Sequence, residues 1–418
     1  MVARTVDTDV AVVGCGPGGA VLAYLLARSG VAVTLLERAS TFQREYRGFG
    51  WNPGVVRLFD EMDLLDDVLA LAHETVTEGA FSLGGRRVPV LAFDRLATEY
   101  PYALLMEQPA ILEALVDHAD AHETFTFRPA TTVTDLLVED GRVRGVRATD
   151  READAELAVE ARVVVGADGR YSTVRERAGI DAGAFDSPID LAWFKLPAGA
   201  VAPEAQGRID RHGVVLYFGL GGGDLQAGSL LRDGEWAGIR DAGFGAFRDR
   251  VAAVDPALAA AVDAHLDGFR DVTLLDVAPG IAPTWTDDGL LLLGDAAHTA
   301  SPIGAQGNPL AVEDAVVAHD VLVGALGGDD GVLSASSLAP FENRRRATVE
   351  RVIALQRRTA RGLAAWLDYG HYVPSWVLSG AGAAVGLLAP RSGLVAGAVE
   401  SFALGDRSVS VARRHFVD

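Results

Sequence analysis

Two stretches of this sequence carry residues suited to gripping a polar, phosphate-bearing ligand. In the first, Gly14, Gly16 and Gly19 stand in GxGxxG register, and Glu37 follows Gly19 by 18 residues. Such glycines permit a tight turn, close approach to a pyrophosphate and close packing of the next helix. An acid at that distance can accept both ribose hydroxyls of an adenosine and would repel a 2′-phosphate. The second stretch, GDAAHTASPIGAQGNPLAVEDA, runs from Gly294 to Ala315. There Gly294 and Asp295 close the apolar run of residues 290–293, offering one carboxylate to a polyol chain. Pro302, Gly304 and Gly307 then let backbone and a helix N-terminus approach a polar ring edge. Polyol and ring together point to FAD rather than to NAD, which has no ribityl chain.

Periodicity supplies the elements that must hold these residues. Residues 9–14 form a valine-rich run predicting a buried parallel strand, 17–29 a helix closed by Gly30, and 31–37 a second strand, one βαβ unit. Residues 109–122 predict another helix, and 125–166 alternate around Asp140-Gly141, a hairpin signal that reads as a β-meander inserted in the first domain. The run 161–166 ends in Ala167-Asp168-Gly169-Arg170, which marks either a ligand crevice at a strand's carboxyl end or an ordinary tight turn. Between about 180 and 284 the character changes to strands over 189–196, 213–220 and 225–231, then a helix over 246–266. Residues 77–100 alternate around Gly84-Gly85 and join the same sheet. Beyond Ala315 the pattern is helical.

The expected fold class is α/β. A three-layer, Rossmann-like dinucleotide domain, with a central parallel sheet plus the β-meander, comprises 1–76, 101–179 and 285–368. A smaller α+β substrate domain on a mostly antiparallel sheet comprises 77–100 and 180–284, and a C-terminal helical region spans 369–418. Residues 369–390 carry no formal charge, yet Pro374, Pro390 and repeated glycine make a poor spanning helix, so a packed helix pair or dimer contact is favoured over membrane-surface contact. Weak catalytic candidates in the substrate domain are Trp193, His212 and Tyr217, with Lys195 and Phe218 beside them. Each could equally be core or solvated surface; Tyr217 and His212 could help deprotonate a phenol only if they face the ligand ring.

A formal charge of −20 and a pI near 4.8 oppose nucleic-acid binding. The lone cysteine, Cys15, excludes intramolecular disulfides and cysteine metal clusters, and no metal site is expected. The first nine residues lack a secretory pattern, so the expected location is cytoplasmic, as a monomer or homodimer. Lys195 is the only lysine, and this arginine-for-lysine, aspartate-rich composition resembles proteins of salt-accumulating halophilic archaea; an acidic protein of a GC-rich bacterium is the alternative.

Taken in order, the βαβ fingerprint, GADGRYSTVR at 166–175 and the 294–315 stretch resemble the group A FAD-dependent monooxygenases, aromatic hydroxylases similar to p-hydroxybenzoate and ubiquinone-pathway hydroxylases, over about residues 9–358. The resemblance implies FAD, reduction by NADH or NADPH, and oxygen transfer from O₂ through a flavin C4a-hydroperoxide to a small apolar or aromatic substrate. It places Gly14, Gly16 and Gly19 at the pyrophosphate, Glu37 at the ribose with Arg38 flanking, and Val133 at the adenine. It gives Arg47, in EYRGFG, a contact with FAD or the nicotinamide cofactor, and Gln108 an FAD contact. Asp168 falls in a motif tied to FAD and NAD(P)H, Gly294 and Asp295 at the ribityl chain, and Pro302 with Gly304 to Asn308, including Gly307, along the isoalloxazine. One departure stands out: where the family often has asparagine this chain has Pro309, preceded by Asn308, which would give a helix with Asn308 as N-cap and proline at its first position. His298 is expected to buttress the loop. A prenyl-chain reductase of the same superfamily and a redox-silent FAD-binding protein are the rival readings. The acidic composition makes its own prediction: molar salt should raise the melting temperature well above its value in dilute buffer, and a salt-independent melting curve would exclude the halophilic reading.

Overall fold

The structure is a computed structural model describing residues 4–43, 48–202, 205–275, 277–328, 331–388 and 403–417. Strand β1 (Arg4–Val13) leads into helix α1 (Pro17–Arg28), with Ser29 as C-cap and Gly30 at φ +71°, and returns as β2 (Val33–Leu36). The hairpin β3 (Glu78–Leu83) and β4 (Arg86–Ala92) turns at Gly84 and Gly85, both left-handed. Helix α2 (Gln108–Asp120) is followed by β5 (Phe125–Arg128), β6 (Thr131–Glu139), β7 (Arg142–Asp150) and β8 (Ala155–Gly166). Asp140 and Gly141, at φ +50° and +78°, make the tight turn between β6 and β7 that the sequence signals.

After the short helix α3 (Thr173–Arg177) come β9 (Ile189–Pro197), β10 (Gly207–Asp210), β11 (Gly213–Gly219) and β12 (Asp224–Arg232). Helices α4 (Glu235–Ala242), α5 (Phe244–Val254) and α6 (Pro256–His265) precede β13 (Val272–Leu275). The single helix expected over 246–266 is thus two: Asp255 leaves helical geometry and its carboxylate caps Ala257 N at 2.9 Å, while Pro256 opens α6. The chain closes with β14 (Thr286–Asp287), β15 (Leu290–Leu292), α7 (Gly307–Leu326), α8 (Ala335–Tyr369) and α9 (Ser375–Leu388).

Among the described residues two large sheets organise these elements. In the eight-stranded sheet, β14-β15-β8-β1-β2-β5 lie in order, with β15, β8, β1, β2 and β5 parallel, while β7 and β6 extend antiparallel from the first half of β8. The seven-stranded sheet, β13-β9-β12-β11-β10-β3-β4, is antiparallel except where β10 meets β3. Helix α7 crosses α1 so closely that a Cβ on Gly18 would lie 3.0 Å from Ala311 O. Residues 403–417 are mostly not helical, unlike the expectation for the C-terminal region; they form a strap tied by Asp406 N to Glu313 Oε1, Val411 N to Glu61 Oε2 and Val417 N to Arg28 O. No helix of the described residues is long and apolar enough to cross a membrane. In the 369–390 stretch, α9 packs on the β3–β4 hairpin, with Ser379 Oγ donating to Gly84 O at 2.9 Å, while residues 389–402 lie outside the described ones.

His319 on α7 sits in this framework beside Ser29 Oγ, 2.8 Å from its Nε2, with the His415 ring of the strap 5.6 Å away. Burial, followed by repulsion from His415, lowers its pKa to about 3. Folding therefore holds it neutral: its stabilising contribution is complete above the unfolded value of about 6.5 and is lost as pH falls towards the folded one. His319→Gln should flatten the loss of urea stability between about pH 6.5 and 4 by up to a few kcal/mol; a curve parallel to the wild type would assign the acid sensitivity elsewhere.

Candidate functional site

The parallel register of the first sheet brings the sequence blocks together. Val13 lies opposite Gly166 and Gly166 opposite Leu292, so β1, β8 and β15 end level, and Gly14, Ala167-Asp168 and Gly294-Asp295 share one carboxyl edge. Open parallel sheets bind ligands at such an edge. Gly14 takes φ +101°, and a Cβ there would come within 2.5 Å of Ala167 O. On Gly19 it would lie 2.0 Å from Gly14 O, so this glycine lets α1 start against the strand. Around Gly16 nothing stands within 4 Å of the same imagined atom. That glycine alone faces open space, as a pyrophosphate contact requires.

Glu37 follows β2, and its carboxylate accepts Cys15 N and Ala39 N, both at 2.8 Å. It is therefore fixed beside the glycine turn. Ala130 N and Thr131 N bond Ala39 O and Glu37 O, which places the start of β6, and Val133 two residues on, next to it. Arg38 is exposed, and Arg47 lies outside the described residues. Asp168 turns inward: its oxygens accept Ser172 Oγ at 2.5 Å and Val174 N at 3.1 Å, locking the GADGRYSTVR turn onto α3. Arg175 of that motif donates to Ala296 O at 2.9 Å, joining the second block to the third.

Asp295 differs. No described residue hydrogen-bonds its carboxylate, and burial raises its pKa against the opposing pull of Arg170, His298 and Arg175. The loop beyond runs through Pro302, Gly304 at φ +73° and Ala305 at φ +52° into α7. That helix begins at Gly307 with Gln306 as N-cap, so Asn308 is not the cap and Pro309 is the third helical residue. The first four amides of a helix need no intrahelical acceptor, so proline loses nothing there. Freed from capping, Asn308 turns sideways: its Oδ1 accepts Gln108 Nε2 at 2.8 Å, and its buried Nδ2 has no acceptor among the described residues. Gly48 lies over the pair, where a Cβ would meet Asn308 Oδ1 at 2.6 Å.

Behind the loop is a buried ion network. Asp314, on α7, accepts Gly294 N at 3.0 Å and His298 Nε2 at 2.6 Å on one oxygen and Arg345 Nε at 2.7 Å on the other. Arg345 also pairs with Glu313 at 2.7 Å, and Glu313 accepts Asp406 N of the strap. Arg345 and Asp314 are both 0% exposed. Burial alone would push Asp314 up, but His298 and Arg345 outweigh it and hold the carboxyl at about 2. Gln356 of α8 completes the support, donating to Ser301 O and Ile303 O at 2.8 and 2.7 Å. Arg345 and Gln356 have no motif to announce them; their signal is only a polar residue on the inward face of a long helix.

The seven-stranded sheet splits its candidates by face. One face, with Phe194, Tyr217 and Ala227, packs against α4, α5 and α6; the other, with Leu191, Trp193, Leu216 and Phe218, meets Phe49, Ile303 of the loop and the end of α8. Tyr217 therefore points away from the loop, its hydroxyl donating to Asp255 Oδ2 at 2.5 Å and its pKa raised, first by burial and then by that carboxylate. His212 is exposed in the β10–β11 turn. Neither can serve the proton-removing role considered for them, because alternation puts Tyr217 behind the sheet and the turn puts His212 at its rim. Trp193 stays at the loop, its ring 5.9 Å from Phe49 and 6.1 Å from Phe218. Lys195 pairs with Glu107, beside Gln108.

The model of the FAD binding domain family matches residues 7–356. The chain belongs to this family of flavoprotein monooxygenases. The monooxygenase is 41% identical over 360 residues to 6-methylpretetramide 4-monooxygenase of Streptomyces rimosus, covering 85% of this chain and 84% of that one. Digeranylgeranylglycerophospholipid reductase 2 of Methanococcoides burtonii is more distant, at 25% over 351 residues, with 82% and 81% covered. Among solved structures, Pseudomonas aeruginosa PqsL in complex with 2-aminobenzoylacetate superposes with a TM-score of 0.73 at 25% identity, covering 87% of this chain and 98% of that one. The residues present suit FAD: an open glycine and an unpaired carboxylate stand on one sheet edge, and an orphaned amide donor stands in the first turn of α7. The network behind the monooxygenase's loop yields a test. Arg345→Met should destabilise the fold by about 3–5 kcal/mol, since it strands buried carboxylates; a urea midpoint within error of the wild type would mean the network relaxes without it.

Proposed function

We propose that this FAD-dependent monooxygenase hydroxylates an aromatic small molecule with NADH or NADPH and O₂, on a cofactor laid along the carboxyl edge of the eight-stranded sheet. The observation that carries the reading is the convergence of three blocks on that edge, with Asp295 left unpaired there. Bound FAD supplies hydride acceptance and oxygen activation. The chain supplies position. Gly14, Gly16 and Gly19 admit the pyrophosphate, Glu37 takes the adenosine ribose with Arg38 and Val133 nearby, and Gly294 and Asp295 hold the ribityl hydroxyls. Pro302, Gly304 and Gly307 bring the α7 N-terminus to the ring, where its free amides favour negative charge on the reduced form. Gln108 orients Asn308, whose Nδ2 donates to the cofactor. Asp168 acts by shaping the turn, and Arg47 contacts FAD or the nicotinamide cofactor.

On this reading the cofactor domain comprises residues 1–76, 101–179 and 285–368, and the substrate domain 77–100 and 180–284, with 369–418 as a C-terminal region. The Phe49, Trp193 and Phe218 rings exclude water where an aromatic substrate meets the loop. The greater identity to a hydroxylase than to a prenyl-lipid reductase favours hydroxylation. Asp295→Ala should weaken FAD binding at least about tenfold, since a single charge-assisted hydrogen bond is worth about 1.5–3 kcal/mol. Equilibrium dialysis measures it, and undiminished FAD retention would refute the ribityl assignment. Isotopically labelled O₂ should appear in the aromatic product; NAD(P)H oxidation yielding only peroxide with every aromatic tested would count against hydroxylation.

A further inference from the structure

We propose that the indole N–H of Trp193 donates to an oxygen of the substrate, so that the enzyme selects aromatic ketones, quinones or phenols over oxygen-free aromatics. This rests on the reading of the loop-facing side of the seven-stranded sheet as the substrate side. Trp193 is 7% exposed, and its buried Nε1 has no acceptor among the described residues. Buried tryptophans usually find one, and an unmet donor costs about 1–3 kcal/mol. The chain satisfies its other tryptophans near the site: Trp285 donates to Ala282 O at 3.1 Å and Trp366 to Asp210 O at 2.8 Å. Trp51 also lacks an acceptor, but it is sealed in the first core against Phe59.

The pose of Trp193 is imposed by the backbone. Directly opposite in register on β12 stands Gly228, where a Cβ would lie 2.6 Å from the six-membered part of the indole. Any other residue there would push the ring away, so a bare glycine holds an unsatisfied donor in place. Around it Phe49, Phe218, Leu216 and Ile303 are only partly buried and offer no side-chain acceptor. An indole is a donor only, so the missing partner is an acceptor. Because Lys195, two residues along the same strand, is paired with Glu107 and Asp224, a carbonyl or hydroxyl oxygen suffices and an anion is not demanded. The rings of Phe49 and Phe218, packed on one another with centroids 4.9 Å apart, add an aromatic wall that favours an aromatic partner.

Two near-isosteric probes separate oxygen from shape: 2-acetylnaphthalene and 2-isopropylnaphthalene, titrated into the oxidised, FAD-loaded enzyme by perturbation of the flavin absorbance. The wild type should bind the ketone about tenfold more tightly. Trp193→Phe, which keeps an aromatic ring and loses the donor, should erase that preference while its FAD dissociation constant stays within about twofold. A Trp193→Phe enzyme that still prefers the ketone, or a wild type that never does, overturns the proposal. If Trp193→Phe loses FAD, Trp193→His decides: it retains a ring N–H, and recovery of the ketone preference supports the donor role whereas its absence overturns it. Failure of the wild type to bind FAD or to label product from O₂ would instead sink the parent reading.

Discussion

Everything at the sheet edge depends on one buried contact, the pairing of Asp314 with Arg345. Asp314 is where four pieces of chain meet: the Gly294 turn through its amide, the His298 strand through an imidazole, α7 which carries it, and α8 through the guanidinium. Glu313 then carries the same cation's influence to the strap. Such a pair contributes little net stability over a well-packed apolar substitute, because desolvation offsets most of the attraction. What it does is make separation expensive, since any piece that moves strands a charge in the core. The loop therefore has one position relative to the sheet, and Asp295, one residue past the clamped amide, inherits that precision. Its own carboxylate is left unpaired while its neighbour is held on all sides.

The second sheet solves a different problem with strand alternation. Its rear face is closed by three helices with an apolar core, which frees its front face from structural duty except where α8 and the loop touch it. Consecutive residues thus have opposite fates: Phe194 fills the rear core while Trp193 faces the loop, and Tyr217 is fixed to Asp255 while Phe218 stays partly open. A one-residue slip would exchange these sets. Gly228 limits that slip, because only opposite glycine does the indole fit.

Much of the first domain was legible because its signals are local. Glycine spacing, a valine run and an acid at the end of the second strand are short-range consequences of one βαβ unit, and the Asp140-Gly141 turn is fixed by two residues' φ angles. The long-range partners were not. Nothing near Gln356 indicates that α8 would fold back under a loop 53 to 55 residues earlier, and nothing near Arg345 that it would meet Asp314, 31 residues earlier. The face of Tyr217 depended on register against strands whose pairing the sequence does not state. The Asn308 cap was misread for a related reason: the turn before it is already helical at Gln306, so the helix starts earlier than its proline suggests. The halophilic reading still rests on composition alone.

Asn308 and Trp193 share a physical signature. Each is a buried side-chain donor with no acceptor among the described residues, and each is held by a glycine whose Cβ would displace it, Gly48 over the amide and Gly228 beneath the indole. A fold under selection for stability alone would remove both features, since a smaller apolar residue in each place would cost less than an unmet donor. Preorganisation requires the opposite: a donor already desolvated and already oriented gains the full bond when its acceptor arrives, with no water to displace and little rotamer freedom left to lose. The two donors stand on different elements, Asn308 in the first turn of α7 and Trp193 on the seven-stranded sheet, and consecutive residues touch them, Gly48 the amide and Phe49 the indole. On the proposed reading a cofactor would satisfy the first and an oxygenated aromatic the second.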